Sequence, residues 1–206
     1  SDLTAILPGA LAHARMSAAV YTRDSEVAMK GVGASFADLG NGRYGLSDPS
    51  GTRYAEIRED ALHRRVAVVF RGTRIGSRGD ISTDLLNFLG HATPYYAWAA
   101  EITASVQAAR PGWEITATGH SLGGGLAIHA ALTNPGVRAF AFNPAGMSPA
   151  VWSRVGFSDR ERMARDVQVI ATGNATRIDP VVALSLSGRS ILPGRVRVFA
   201  SPAADP

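Results

Sequence analysis

The chain has 206 residues, of which 46% are hydrophobic and 18% charged, and this composition suits one compact domain with a continuous core. Its hydrophobic runs are short, so none approaches the roughly 18 apolar residues of a membrane span. With no cysteine, neither a disulfide framework nor a thiolate metal site can form. The formal charge of +4 comes almost entirely from scattered arginines. We therefore expect no nucleic-acid partner, while contact with an anionic membrane surface is compatible with this charge.

The first part of the chain predicts one helix followed by antiparallel hairpins. Between Gly9 and Tyr21, Leu11 and Val20 recur among alanines, which is typical of a helix that lies on a core. Glycine-rich turns then flank two short segments, 43–46 and 53–57, in which polar and apolar residues alternate. Such segments predict antiparallel hairpin strands.

From Val66 onward the pattern predicts alternating strands and helices. The β-branched run Val66–Phe70 is typical of a strand buried on both faces by helices. Further predicted strands are 113–118, 137–142, 167–171 and 196–199, and the predicted helices are 95–109 and 122–132. We therefore expect an α/β fold of the α/β-hydrolase type in a single domain, 1–206. Its central sheet is mainly parallel and flanked by helices, with antiparallel hairpin strands at the N-terminal side.

The candidate nucleophile is Ser121, in the turn Gly119-His120-Ser121-Leu122-Gly123. An apolar strand ends just before this turn and a helix of small residues begins just after it, which is the strand-turn-helix context that a nucleophilic serine requires. The glycines have a mechanical reason, because neighbours without a Cβ let the helix and the strand approach closely. We predict a serine hydrolase.

A serine nucleophile also needs a base, a group that orients the base, and donors for the developing oxyanion. Asp179 is the predicted acid, because it follows the strand 167–171 and precedes Pro180, where a helix cannot continue. Two other aspartates compete with it. Asp166 precedes its strand and should lie at the opposite edge of the sheet, and Asp159 sits in a polar helical run that favours a solvated role.

Two residues are predicted to stabilise the oxyanion. The backbone N–H of Leu122 lies at the start of a helix, where donors are unpaired and the dipole favours negative charge. The second donor should come from the loop after the strand Val66–Phe70, and Thr73 is the candidate.

The motifs in this order resemble the class 3 lipases, a family of fungal triacylglycerol lipases and related bacterial lipases and phospholipases. The matching segments are Val68–Thr73, Asp80–Leu85, Gly119–Gly124, Phe142–Pro144 and Asp179–Val182. The resemblance implies a Ser-His-Asp triad that cleaves lipid esters, with Ser121 and Asp179 as nucleophile and acid, and with Thr73 and Leu122 at the oxyanion. Asp84 is similar to the structural aspartate of the family and has a supporting role.

The base of this triad departs from the family pattern. The family places its catalytic histidine after the last strand, yet no histidine follows Asp179. His120 should point away from the nucleophile, and His129 lies about 12 Å along the following helix. His91 is the only histidine in a loop on the suitable side.

Two interpretations remain open. In the first, residues that follow Pro206 supply the histidine, so the chain lacks a C-terminal segment and the protein is an active hydrolase. In the second, the histidine has been lost and the fold serves as a binding module. We favour the first, because the nucleophile turn, the Arg71–Thr73 loop and Asp179 are all retained.

The resemblance implies no cofactor and no metal. The substrate that it implies is a lipid or phospholipid ester. The segment 90–97 is closer to bacterial members than to fungal ones, and we expect secretion or delivery outside the producing cell. If the protein is a delivered toxin, an inhibitory or immunity protein is the expected partner. The segment from Met147 to Met163 is the candidate to cover the acid side of the site.

Overall fold

The computed structural model describes residues 3–21, 36–47, 53–72, 93–174, 177–178 and 191–200. The helices in these ranges are α1 (Leu3–Ala19), α2 (Thr93–Ala109), α3 (Leu122–Thr133), α4 (Pro149–Trp152) and α5 (Phe157–Asp166). The strands are β1 (Phe36–Gly40), β2 (Arg43–Ser47), β3 (Tyr54–Asp60), β4 (Arg65–Arg71), β5 (Glu114–His120), β6 (Arg138–Phe142), β7 (Val167–Asn174), β8 (Arg177–Ile178) and β9 (Arg195–Ala200).

All of these strands join one nine-stranded sheet, in the order β1 to β8 with β9 beside β7. The pairs from β1 to β4 are antiparallel, and those from β4 to β7 are parallel. This arrangement confirms the predicted hairpins and the predicted parallel sheet. In β4, the run Val66–Phe70 is buried along its whole length, as expected of a strand covered on both faces.

Helices cover the two faces of the sheet differently. On one face, α2 and α3 pack on the central strands over the main core, which includes Phe70, Ile115, Ala117 and Ile128. On the other face, α1 lies across β4, β5 and β6 beside a smaller cluster that includes Val20. Within the described ranges, no helix combines the length and the apolar character needed to cross a bilayer.

The chain beyond Ala171 differs from the sequence prediction, which ended the strand at that residue. Strand β7 continues to Asn174, and the chain then returns as β8, antiparallel to β7, with Ile178 opposite Gly173. Strand β9 already occupies one edge of β7 as far as Gly173. Strand β8 therefore lies on the other edge, beyond the carboxyl end of β6. Strand β8 therefore runs back towards the edge of the sheet at which β5 ends.

Candidate active site

The turn between β5 and α3 holds Ser121 in an uncommon backbone conformation, with φ 56° and ψ −121°. Its N–H donates to the carbonyl oxygen of Phe142 at 3.0 Å. Its own carbonyl oxygen accepts from the N–H of Ala145 at 2.9 Å and from that of Gly125 at 3.2 Å. A positive φ is strained for a residue with a side chain, so these bonds keep the serine in a conformation it would not adopt alone.

The hydroxyl group of Ser121 is not used to cap the helix. A serine that precedes a helix usually accepts a hydrogen bond from one of the first backbone N–H groups. Ser121 forms no such bond with α3, and its side chain is half-buried at the turn. The geometry thus leaves the hydroxyl oxygen for another partner.

Glycine is required where α3 passes closest to the strands. A Cβ on Gly119 would lie 2.3 Å from the carbonyl carbon of Gly123. A Cβ on Gly123 would lie 2.2 Å from the carbonyl oxygen of Phe70. Real Cβ atoms do not approach backbone atoms so closely, and the prediction that the glycines permit close approach is confirmed.

The end of β4 meets the start of α3. A Cβ on Gly72 would lie 3.2 Å from the Leu122 Cβ and 3.2 Å from the Gly123 nitrogen. Leu122 itself begins α3 and is buried. The loop that the sequence predicts as the oxyanion loop therefore starts against the helix terminus that carries the other predicted donor.

Sequence reasoning gave no role to Tyr21, which lies two residues after the end of α1. Its hydroxyl oxygen accepts from the N–H of Gly72 at 2.9 Å and lies 3.5 Å from the carbonyl oxygen of His120, a long contact. Burial raises the pKa of Tyr21, and the Gly72 N–H acts in the opposite direction by stabilising the phenolate. The neutral hydroxyl thus bridges the ends of β4 and β5 beside the nucleophile turn.

Several predicted site residues lie outside the described residues. They are Thr73, Asp84, His91 and Asp179. Their roles stay predictions. The described chain reaches Gly72 immediately before Thr73 and Ile178 immediately before Asp179.

The histidines other than His91 lie in described ranges, and three of them have partners away from the nucleophile. The His13 ring bonds to Gly9 and Thr116, and the His63 Nδ1 lies 2.7 Å from the Asp60 carboxylate. His129 stacks on the Tyr96 ring at 4.6 Å, and burial lowers its pKa to about 4. His120 ends β5, one residue before Ser121.

The aspartates that compete with Asp179 have other surroundings. Asp159 accepts a hydrogen bond from Arg162 within α5 at 3.1 Å. Asp166 ends α5 and lines a cavity of about 780 Å³ at the amino ends of the strands, opposite to Ser121. Among the described residues, no group of three or more His, Cys, Asp or Glu side chains could hold a metal ion.

The segment proposed to cover the acid side is anchored at both ends. Met147 exchanges two backbone hydrogen bonds with Ile191, at 2.7 and 2.8 Å, and Met163 is fully buried. Arg162 also donates to carbonyl oxygens at the end of α3. Between these anchors, Phe157 is 77% exposed, and the residues Pro149, Ala150, Ser153 and Arg154 are exposed as well.

Comparisons with known proteins agree with this geometry. The family model described as "Phospholipase-like: Tle-like phospholipase domain" matches residues 12–177. The chain is similar to a crystal structure of a mutant form of MDLA from Penicillium cyclopium, with a TM-score of 0.66 and 16% identity over 98% of this chain and 83% of that chain. It is also similar to lipase II from Rhizopus niveus, with a TM-score of 0.56 and 16% identity over 96% and 82% of the two chains. No curated protein matches the chain by sequence.

The likeness to these structures shows the shared fold, and the prediction of an α/β-hydrolase fold is confirmed. The family match covers β4, the nucleophile turn and all of β7. It confirms the resemblance to class 3 lipases that the motifs indicated.

Proposed function

The chain belongs to the Tle-like phospholipase domain family, and we propose that it cleaves carboxylic esters of lipids with Ser121 as the nucleophile. Family and fold support lipid ester hydrolysis in general. The observation that carries the proposal is the backbone of Ser121, held at a positive φ with its hydroxyl free of helix capping. Strained residues cluster at catalytic sites, where neighbouring structure maintains a geometry that local preference opposes.

The proposed chemistry proceeds in two steps. The Ser121 oxygen attacks the ester carbonyl carbon while a histidine base takes the hydroxyl proton, and the base then gives that proton to the departing alcohol. Water hydrolyses the acyl-enzyme by the same sequence and restores the serine. The N–H groups of Leu122 and Thr73 are proposed to hold the oxyanion in both steps.

Asp179 is proposed to orient the base. The described geometry supports this role, because β8 lies past the end of β6 and delivers the chain to the edge of the sheet where Ser121 sits. Neighbouring strands are about 4.8 Å apart, so β8 and the end of β5 are separated by about the width of one strand. A carboxylate that follows Ile178 can act through a histidine placed between it and the serine.

The base is proposed to be a histidine outside the described residues. The segment after Pro206 is the first candidate, because the family pattern places the histidine after the last strand, and His91 is the second. His13, His63 and His129 are poor candidates, since each is held by partners remote from Ser121.

The direct test compares the full-length protein with its Ser121→Ala variant on a panel of esters of different chain length and on phospholipid vesicles. We expect activity to fall by about three to six orders of magnitude with the melting temperature unchanged. Ser105→Ala is a matched control, because the Ser105 hydroxyl is exposed and bonds only to the Glu101 carbonyl oxygen within its own helix. Retention of more than a tenth of the activity in Ser121→Ala would exclude this serine as the nucleophile.

A second pair of variants tests the acid. Asp179→Asn should lower kcat by roughly 10⁴ with little change in KM, since the base loses its orientation and charge stabilisation. Asp159→Asn is the control, because Asp159 pairs with Arg162 on the surface of α5. The opposite result, with Asp159→Asn as the inactive variant, would assign the acid to α5.

The location of the base can be tested by comparing two versions of the protein that end at different residues. A version of the protein that ends at Pro206 should fold and be nearly inactive, and restoring the natural tail should restore hydrolysis. Full activity of the shorter version would make His91 the residue to substitute. A full-length protein that binds lipid vesicles but hydrolyses no ester would favour the binding module.

Apart from a lipid ester substrate, the partners of the protein stay predictions. An anionic membrane surface is proposed on the basis of the net charge of +4. An inhibitory or immunity protein is proposed only for the case in which the protein is delivered as a toxin.

A further inference from the structure

Helix α1 is joined to the nucleophile strand by polar contacts spaced at regular intervals. Two residues of α1 and a third just past its end, spaced four apart, meet every second residue of β5, so the helix and the strand run side by side in the same direction. The pairs are His13 with Thr116, Ser17 with Thr118, and Tyr21 with His120.

The middle contact is completely enclosed. Ser17 is 1% exposed and Thr118 is fully buried, with their hydroxyl oxygens 3.0 Å apart. The Thr118 hydroxyl donates to the Phe140 carbonyl oxygen at 2.8 Å, so its single proton is already used. Ser17 is therefore the donor to Thr118, and the chain of bonds runs from α1 through β5 to β6.

The first contact fixes the tautomer of His13. The ring Nδ1 lies 2.7 Å from the Gly9 carbonyl oxygen, which can only accept, so Nδ1 carries the proton. In the neutral ring, Nε2 then accepts from the Thr116 hydroxyl at 2.8 Å. The same ring stacks on Phe140, with centroids 4.2 Å apart.

In the range Gly9–Ala19, the apolar contacts of α1 do little to fix its position along the strand. Six of these eleven residues are Ala or Gly, and Leu11 is 53% exposed. Met16 packs half-buried against the smaller cluster, but its side chain is flexible. Contacts between small apolar groups change little when a helix slides, whereas a hydrogen bond is lost when its partners move apart. A shift of α1 along β5 would break the hydrogen bond between the buried hydroxyls of Ser17 and Thr118.

The last contact lies at the candidate site. The Tyr21 hydroxyl holds the Gly72 N–H, one residue before the predicted oxyanion donor Thr73. We infer that His13 and Ser17 are positioning residues, which set the place of α1 along β5 and thereby the place of the oxyanion loop. The inference rests on the proposed function, because it assigns the loop after Gly72 to the stabilisation of the oxyanion.

The test uses the full-length protein with substitutions that remove a hydroxyl but keep the volume. Thr116→Val removes the hydroxyl that bonds to the His13 Nε2, and Ser17→Ala removes the middle contact. We expect each to lower kcat by about ten- to a hundredfold with KM nearly unchanged, because an oxyanion donor is displaced rather than removed. Thr116→Ser keeps the hydroxyl and should restore kcat to nearly the wild-type value.

A second measurement does not depend on hydrolysis. Exchange of the Gly72 amide hydrogen, followed by NMR, should be slow in the wild type and faster in Thr116→Val, Ser17→Ala and Tyr21→Phe. Tyr96→Phe is the matched control, because the buried Tyr96 hydroxyl has no hydrogen-bond partner among the described residues. It should change neither kcat nor Gly72 exchange.

The outcomes separate the two proposals. Unchanged Gly72 exchange in Thr116→Val and Ser17→Ala would overturn the positioning role, whatever happens to kcat. Faster exchange in a protein whose Ser121→Ala variant keeps its activity would retain the positioning role of α1 and refute the proposed function. A fall in kcat that Thr116→Ser does not reverse would also contradict the inference, since the hydroxyl is then not the cause.

Discussion

The two faces of strand β5 contact their covering helices through different chemistry. Ile115 and Ala117 face the main apolar core, where α2 and α3 pack. Thr116 and Thr118 lie on the other face and hydrogen-bond to residues of α1. All four side chains are buried, so the difference lies in the type of contact and not in its depth.

The comparison separates the contacts that stabilise the fold from the contacts that fix the position of a helix on the sheet. Burial of apolar area stabilises a fold in proportion to the area removed from water, with little dependence on orientation. A buried hydrogen bond contributes less net stability but depends on distance and angle. We expect substitutions on the α3 face to change mainly the free energy of unfolding, and substitutions on the α1 face to change mainly the geometry of the site.

The largest expected effect comes from closing the space between α3 and β4. Gly123→Ala places a Cβ about 2.2 Å from the Phe70 carbonyl oxygen, so the helix must move or the protein must unfold. We expect a loss of roughly 3 kcal/mol or more in the free energy of unfolding, measured with denaturant. Gly156→Ala is the control, because nothing lies within 4 Å of its added Cβ. Equal stability of the two variants would show that α3 does not lie this close to β4.

The comparison of the two faces is tested by one substitution on each. Ile128→Ala empties a fully buried site in α3 and should cost about 2–5 kcal/mol. Thr118→Val keeps its volume but removes the hydrogen bonds to Ser17 and to the Phe140 carbonyl oxygen, which should cost about 1–3 kcal/mol. Denaturant unfolding of both variants measures the difference. A larger loss for Thr118→Val than for Ile128→Ala would reverse our assignment of stability to the α3 face.

Each face also holds one half-buried histidine whose pKa is lowered. Burial lowers the pKa of His129 to about 4, and burial is also the main cause that lowers the pKa of His13. For His13 the Gly9 carbonyl and Glu114 act in the opposite direction, while Arg138 adds to the lowering. The unfolded chain therefore binds protons more tightly, so stability is complete above about pH 6.5 and falls as the pH decreases.

For His129 alone, the loss between pH 7 and pH 5.5 should be about 1 kcal/mol, continuing down to its folded pKa. His129→Leu should remove this part of the pH dependence. Thermal or denaturant unfolding at the two pH values measures it. A variant with the same pH dependence as the wild type would show that His129 does not titrate as a buried neutral group.

Much of the site's scaffold could be predicted from the sequence. The β-branched run of β4 and the strand-turn-helix pattern around Ser121 are local signals, and both lie where they were predicted. Strand β5 runs two residues further than predicted, to His120, because the turn residues still pair with Ala141 and Phe142 of β6. A partner strand distant in sequence extends a strand beyond its own apolar run.

Contacts between distant segments could not be predicted in the same way. Helical periodicity shows which residues share a face, but not which strand residue each of them meets, so the contact of Tyr21 with Gly72 was missed. One signal was present: His13, Ser17 and Tyr21 recur at a spacing of four in a segment whose other residues, apart from Arg15, are apolar or glycine. The return of the chain as β8 was also missed, because a two-residue strand carries too little pattern of its own to be recognised in the sequence.

The central claim is that Ser121 is an activated nucleophile, and covalent labelling tests it most directly. The full-length protein is treated with a fluorophosphonate, which reacts with activated serines, and the modified peptide is identified by mass spectrometry. We predict one adduct, located on Ser121, and no adduct in Ser121→Ala. An adduct on another serine, or an enzyme that hydrolyses lipid esters while Ser121 remains unmodified, would contradict the account.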